Sequence, residues 1–184
     1  MSSAIKNILV SAWEILEVVF IATATVFLIR TFLVQPFVVS GASMEPNFTE
    51  RDYLLIDEIT YRFREPERGE VVVFRYPLDG NVFFIKRIIG IPGDEVISEG
   101  GRIFIMRDGV ETPLDELYLS PAFQSSDNFK VTLGEDQYFV LGDNRSHSFD
   151  SKNWGAIHRK DIVGTARVVL FPFNRFSLLK APAY

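Results

Sequence analysis

The chain has 184 residues, no cysteine and a formal net charge of −5. The absence of cysteine excludes disulfides, a thiol nucleophile and thiolate metal sites, and the acidic balance argues against a nucleic-acid partner. With two histidines and no HExxH pattern, a zinc hydrolase is disfavoured, and we expect no metal and no cofactor. The length suits one domain, but a hydrophobic content of 47% is high for a purely soluble one.

The N-terminal segment is strongly apolar. Residues 18–29 read VVFIATATVFLI and carry no charge, and about twenty such residues cross the core of a bilayer. Glu14 and Glu17 lie toward one end of the run. We therefore predict a transmembrane anchor at about residues 10–30, inside an N-terminal segment 1–34. A buried helix of a soluble domain is the alternative, and the flanking charges hardly bias the orientation.

The pattern changes after this segment. Pro36 stops any continuing helix, and short runs rich in β-branched and aromatic residues follow, separated by turn signals such as Pro-Gly-Asp at 92–94. These runs lie at 37–39, 53–58, 70–77, 81–90, 95–98, 102–106, 129–133, 137–142 and 162–171. The pattern predicts a mainly β, antiparallel domain over residues 35–184, with 111–128 as a long polar surface loop.

Ser43 lies in the turn Ser40-Gly41-Ala42-Ser43-Met44-Glu45-Pro46. Glycine permits unusual backbone angles next to the serine, and proline fixes the chain just beyond it. Such a turn can project a hydroxyl and leave backbone N–H groups free to stabilise an oxyanion. Ser43 is therefore a candidate nucleophile, although small-residue turns are also common as plain linkers.

Lys86 lies in the apolar run Phe84-Ile85-Lys86-Arg87-Ile88-Ile89-Gly90. Alternate side chains of a strand share a face, so each face of this run is apolar with one cation in it. Burial lowers the pKa of a lysine and lets its neutral amine act as a base. Lys86 is thus a candidate base for Ser43, and an edge-strand lysine that discourages aggregation is the alternative.

A polar stretch, Gly142-Asp143-Asn144-Arg145-Ser146-His147-Ser148-Phe149-Asp150-Ser151, follows a predicted strand. It is either a surface loop of turn formers or a set of supporting groups. In the second case, Ser148 orients the lysine amine and Asp143 neutralises Arg87, since a buried arginine without a carboxylate is costly. A triad of Ser43, His147 and an aspartate ranks below the Ser43/Lys86 pair, because one histidine in a polar loop is usually exposed.

Together these segments resemble the type I signal peptidases. The resemblance covers the apolar segment, SGASMEP, YLLIDE, RGEVVVFRYP, FIKRIIGIPGD and GDNRSHSFDSKNWG, in the family's order. It implies a serine–lysine endopeptidase on a mostly β fold that removes signal peptides from exported preproteins after small residues at −1 and −3. By motif, Ser43 corresponds to the nucleophile, Lys86 to the general base and Ser148 to the serine that orients the lysine. Asp143, Arg87 and Asp150 correspond to structural residues around the site.

The chain departs from the family pattern in three places. Asn47-Phe48 stands where Thr-Leu is usual, and Lys152 replaces an arginine, which weakens a two-point pairing with Asp150. A serine that serves some members as an oxyanion donor is Gly41 here. The backbone N–H of Ser43 is then the secure donor, with Ser40 as a substitute.

We further expect Phe37, Val38, Val39 and Phe84 to shape the substrate pockets. The implied partners are preproteins and the lipid bilayer, and the implied location is the cell membrane, crossed once, with the β domain on the extracytoplasmic side. Two alternatives stay open: a self-cleaving serine–lysine regulator of the SOS-repressor type, and a non-catalytic membrane-anchored β module.

Overall fold

The computed structural model describes residues 3–32, 34–123 and 126–182, so residues 1, 2 and 33 of the predicted N-terminal segment lie outside it. A long helix, α1 (Ser3–Phe32), comes first, and one short helix, α2 (Ser151–Trp154), falls late in the chain. The strands are β1 (Val34–Val38), β2 (Tyr53–Asp57), β3 (Val71–Tyr76), β4 (Asp79–Gly90), β5 (Glu95–Glu99), β6 (Arg102–Arg107), β7 (Val110–Pro113), β8 (Phe129–Thr132), β9 (Gln137–Leu141), β10 (Ile157–His158), β11 (Ile162–Phe171) and β12 (Ser177–Leu178).

The strands form two antiparallel sheets. The larger sheet has the order β1-β2-β11-β3-β4-β9-β10, with β12 paired to β11, and the smaller has the order β7-β6-β5-β8. The prediction of a mainly β, antiparallel fold is therefore confirmed. The division into two sheets was not predicted, because hydrophobic alternation identifies strands without saying which strands pair.

Alternation along the central strands builds a core on both faces of the larger sheet. Val71 and Val73 join one buried cluster, whereas Val72 and Phe74 join another on the opposite face. A third cluster, which includes Phe139, lies where β9 meets the smaller sheet. The strands that carry the site are therefore held by apolar packing on both sides.

The predicted loop 111–128 is partly wrong. Strand β7 reaches Pro113 and pairs with β6, and residues 121–123 form a 3₁₀ turn. This segment carries Asn-, Asp- and Pro-type turn formers, which hid its short edge strand from pattern reading. The turn between β3 and β4 is short, since Tyr76 already faces Asp79 across the hairpin.

Helix α1 presents apolar side chains outward in its middle part, where the structure describes them. Its large apolar side chains between residues 13 and 27 are exposed, with Trp13 at 68% and Phe20 at 69%. The alternative of a buried helix in a soluble domain does not fit this exposure. No helix in the described part of the chain is both long enough and apolar enough to cross a membrane.

Candidate active site

The turn that carries Ser43 is anchored on both sides. Gly41 has φ +88°, the left-handed region that favours glycine. Before the turn, the backbone of Val39 pairs with Arg51 and Asp52 and so prolongs the β1–β2 ladder. After it, Met44 and Phe48 are almost fully buried. The serine is thus held at the surface of the core by its buried neighbours.

Lys86 reaches this turn from strand β4. The residue lies opposite Val72 of β3 and is 2% exposed. Its Nζ donates to Ser43 Oγ over 2.6 Å and to the carbonyl of Ile85 over 3.0 Å. The two residues lie 43 positions apart in the chain, and the fold brings their functional atoms into direct contact.

The surroundings of Lys86 favour a neutral amine. Burial lowers the pKa of Lys86 to about 8, and the negative charges of Asp150 and Asp143 limit that fall. The centre of the Phe84 ring, 5.5 Å from the amine, is within cation–π distance of the protonated form and acts in the same direction as the two aspartates. A base with a pKa near the working pH can accept a proton from a serine hydroxyl without help from histidine.

Arg87, the next residue on β4, points to the other face and is bound by a carboxylate. Its Nε and Nη2 donate to the two oxygens of Asp143 over 2.8 and 2.6 Å, and its Nη1 donates to the carbonyl of Gly69. Asn47 Nδ2 donates to the same carboxylate over 2.8 Å. The structure therefore brings Arg87 and Asp143 together, and Asn47, a departure from the family pattern, joins them.

The loop after β9 holds the turn that carries Ser43 directly. The backbone N–H of Asn144 donates to the carbonyl of Ser43 over 3.0 Å, and its Nδ2 donates to the carbonyl of Ala42 over 3.1 Å. Gly142 packs so closely that a Cβ there would collide with Ser148 Oγ and the Ser43 carbonyl. Because glycine has no side chain, the loop can approach the turn at this position.

The polar residues of this loop take different places from those expected. Asp150 caps helix α2 and accepts from the backbone N–H of Gly142 over 3.1 Å. The backbone N–H of Lys152 donates to Asp150 over 3.1 Å, but its Nζ donates to Asp127 and to the carbonyl of Arg145, each over 2.7 Å. The long flexible side chain of Lys152 thus extends past the capping aspartate to Asp127, which precedes β8, and to the backbone of Arg145.

Ser148 does not make the contact expected of it. Its Oγ is buried and has no hydrogen-bond partner among the described residues, whereas the bonds of the Lys86 amine go to Ser43 and Ile85. The hydroxyl lies beside Gly142 and the Ser43 carbonyl instead. Its assignment as the group that orients the lysine stays a prediction.

The structure does not assemble the triad with His147. The histidine is exposed, and its Nδ1 lies 2.9 Å from Ser146 Oγ. The two aspartates considered as its partners are bound elsewhere, Asp143 to Arg87 and Asp150 at the start of α2.

The four predicted pocket residues line one cavity beside the Ser43–Lys86 contact. The cavity has a volume of about 90 Å³, and its walls include Phe37, Val38, Val39 and Phe84 together with Ser40. Phe84 is held by edge contacts with Tyr76 and by stacking on Trp154. The cavity is small and apolar, with the serine and lysine at one wall.

Sequence reasoning missed several groups that hold the site. Asn47 was interpreted only as a departure from the family pattern, and Asn144 only as a turn former. Arg145 and Glu116 were given no part in the site. Arg145 is 5% exposed and pairs with Glu116. A usable signal was present, because Arg145 follows an apolar strand closely in the chain, and an arginine that is buried there needs a carboxylate.

With the geometry established, comparison with known proteins identifies the family. Residues 12–171 match the family described as signal peptidase, peptidase S26. A probable signal peptidase I-2 from Synechocystis is 42% identical over 82% of this chain and 69% of its own. A signal peptidase I from Bacillus amyloliquefaciens is 37% identical over 89% and 90%. A crystal structure of a signal peptidase I from Enterococcus faecalis has 30% identity and a TM-score of 0.47, over 55% of this chain and 97% of that one.

The chain therefore belongs to the signal peptidase family, peptidase S26, and it is a hydrolase of the serine peptidase class. The resemblance stated from the sequence is confirmed. The family match favours the peptidase over the SOS-repressor type and over the non-catalytic module.

Proposed function

We propose that the chain is a membrane-anchored endopeptidase that cleaves signal peptides from exported preproteins with Ser43 as nucleophile and Lys86 as general base. The observation that carries the proposal is the 2.6 Å contact between Lys86 Nζ and Ser43 Oγ, with the lysine 2% exposed. The relatives named signal peptidase I support the substrate class.

In the proposed reaction the neutral Lys86 amine takes the proton of Ser43 as Oγ attacks the scissile carbonyl. The lysine then gives that proton to the leaving amine, and an acyl-enzyme forms on Ser43. Lys86 next takes a proton from water, which attacks the ester, and the lysine returns that proton to Ser43 Oγ as the signal peptide is freed. The backbone N–H of Ser43 is the assigned oxyanion donor, with the Ser40 hydroxyl as a second candidate and Ser148 in support.

The proposed substrate path follows strand β1. In the described sheet β1 pairs with β2 and ends the strand order, so an extended substrate can add beside Phe37–Ser40. Alternate substrate side chains would then face the walls formed by Phe37, Val39 and Phe84. The small cavity supports small residues at −1 and −3.

Helix α1 is the proposed anchor, with the β domain (35–184) on the extracytoplasmic side of the cell membrane. Support comes from the uncharged run 18–29 and from the exposure of its apolar side chains. The full-length chain should stay with membranes in alkaline carbonate. A variant with Phe20→Arg and Ile21→Arg should be released, because charge at the bilayer centre is costly. Release of the unaltered chain would contradict the anchor.

Cleavage of a purified preprotein by Ser43→Ala protein tests the chemistry. The variant should bind substrate and leave it uncut, whereas the exposed Ser177→Ala control on β12 should cut like the unaltered chain. Normal turnover by Ser43→Ala would rule out the assigned nucleophile.

A further inference from the structure

Arg145 is a buried cation, and all three nitrogens of its guanidinium donate hydrogen bonds. It is 5% exposed, and its Nε donates to the carbonyl of Gly142 over 3.0 Å. Its Nη1 donates to Glu116 Oε2 over 3.1 Å, and its Nη2 donates to Glu116 Oε1 and to the hydroxyl of Tyr118. A buried arginine so placed depends on its carboxylate, since the cost of desolvating an unpaired charge is large.

Glu116 comes from a different part of the fold. It lies between β7 of the smaller sheet and the 3₁₀ turn at 121–123, 29 positions from Arg145, and its side chain is 10% exposed. Tyr118 donates its hydroxyl proton to Glu116 Oε1 over 2.8 Å. Both carboxylate oxygens are therefore engaged, and their hydrogen bonds fix where Arg145 can lie.

The backbone that Arg145 holds is the backbone that holds the nucleophile. Gly142 receives the Arg145 Nε bond, and Asn144 donates two bonds to the carbonyls of Ala42 and Ser43. Lys152 adds a bond to the carbonyl of Arg145 over 2.7 Å. The contacts of Glu116 are with Arg145 and Tyr118, so it would act on Ser43 through the loop.

We infer that Glu116 is a positioning residue for the peptidase reaction: its carboxylate holds Arg145, and Arg145 holds the 142–144 backbone that sets the Ser43 turn. The inference deepens the proposed function and rests on it. Because the substrate cavity is built by other residues, loss of Glu116 should lower kcat and leave KM nearly unchanged. A misplaced nucleophile slows the chemical step more than it lowers the affinity for substrate.

The experiment compares Glu116→Gln with the unaltered full-length chain in detergent micelles, using a purified preprotein as substrate. Glutamine keeps the shape and removes the charge that Arg145 needs. We expect kcat to fall roughly 10- to 100-fold, the range implied by loss of a charged hydrogen bond. KM should change by less than about twofold. The exposed Glu111→Gln on β7 is the matched control and should behave like the unaltered chain.

A merely structural role for Glu116 gives a different result. In that case Glu116→Gln lowers Tm but turns over at the normal kcat at temperatures where it is folded, and this outcome overturns the inference. Tyr118→Phe is the second variant, because it removes the bond to the Glu116 carboxylate and the bond from Arg145 Nη2 and keeps the ring. It should lower kcat to a smaller extent, and it decides the question if Glu116→Gln does not fold.

Measurement of Ser43→Ala in the same assay separates the two claims. If Ser43→Ala is inactive while Glu116→Gln or, should that variant not fold, Tyr118→Phe has full kcat, positioning by Glu116 is wrong and the proposed function stands. If Ser43→Ala is active, the proposed function fails whatever Glu116→Gln does.

Discussion

Arg87 and Asp143 form a buried two-point ion pair on the face of β4 opposite Lys86, with N–O distances of 2.8 and 2.6 Å. Two neighbouring cations of one strand are thus stabilised in different ways. Arg87 has a carboxylate, whereas the Lys86 amine contacts a hydroxyl and a carbonyl. Burial lowers the pKa of Lys86, and the charges of Asp150 and Asp143, which form no ion pair with the amine among the described residues, only partly offset that fall.

Removal of the carboxylate from this pair should destabilise the fold. Asp143→Ala leaves Arg87 buried without its partner and should lower the free energy of unfolding by about 3–5 kcal/mol. Denaturant unfolding of the purified variant measures this change. Lys130→Ala breaks a largely exposed pair with Glu95 and should cost less than about 1 kcal/mol. Equal small losses for both variants would contradict a structural role for the buried pair.

Lys86→Arg should be inactive although it keeps a positive charge. A guanidinium does not lose its proton in proteins and cannot serve as a base. Preprotein cleavage measures turnover, and circular dichroism checks that the variant is folded. His147→Ala should keep most of its activity, because the ring is exposed and contacts Ser146. An inactive histidine variant beside an active arginine variant would favour the triad.

The size of the residue at −1 should control the rate. The cavity of about 90 Å³ beside Ser43 has room for a small side chain, and overfilling a packed apolar space costs about 1–3 kcal/mol. Since about 1.4 kcal/mol is tenfold in rate, preproteins with Ala, Val and Phe at −1 should be cleaved at steeply falling kcat/KM. Equal rates would show that Phe37, Val39 and Phe84 do not form the −1 pocket.

The sequence was sufficient to single out residues whose neighbours in the chain are unusual. Ser43 stands in a turn with Gly41 and Pro46, and Lys86 stands in an apolar strand, so both were selected as candidates from their neighbours alone. Strands with clear alternation, such as β3 and β4, were found near their observed bounds. These features depend on short-range pattern, which a single sequence displays directly.

Groups that depend on distant partners were not predictable in the same way. Asn47 meets Asp143 across 96 positions, and Glu116 meets Arg145 across 29. Nothing near either residue in the chain indicates its partner. The Oγ of Ser148 has no hydrogen-bond partner among the described residues, and its expected contact with the lysine amine stays a prediction, because a motif fixes that a serine is present but not where its hydroxyl points.

The pH dependence of kcat/KM tests the Ser43–Lys86 mechanism most directly. Below the pKa of Lys86, about 8, the amine is protonated and cannot accept the serine proton; above it, the amine is neutral and can. Cleavage of a preprotein should therefore rise with pH through a midpoint near 8, and His147→Ala should leave that midpoint in place. A midpoint near 6.5, the ordinary pKa of histidine, that disappears in His147→Ala would contradict the account.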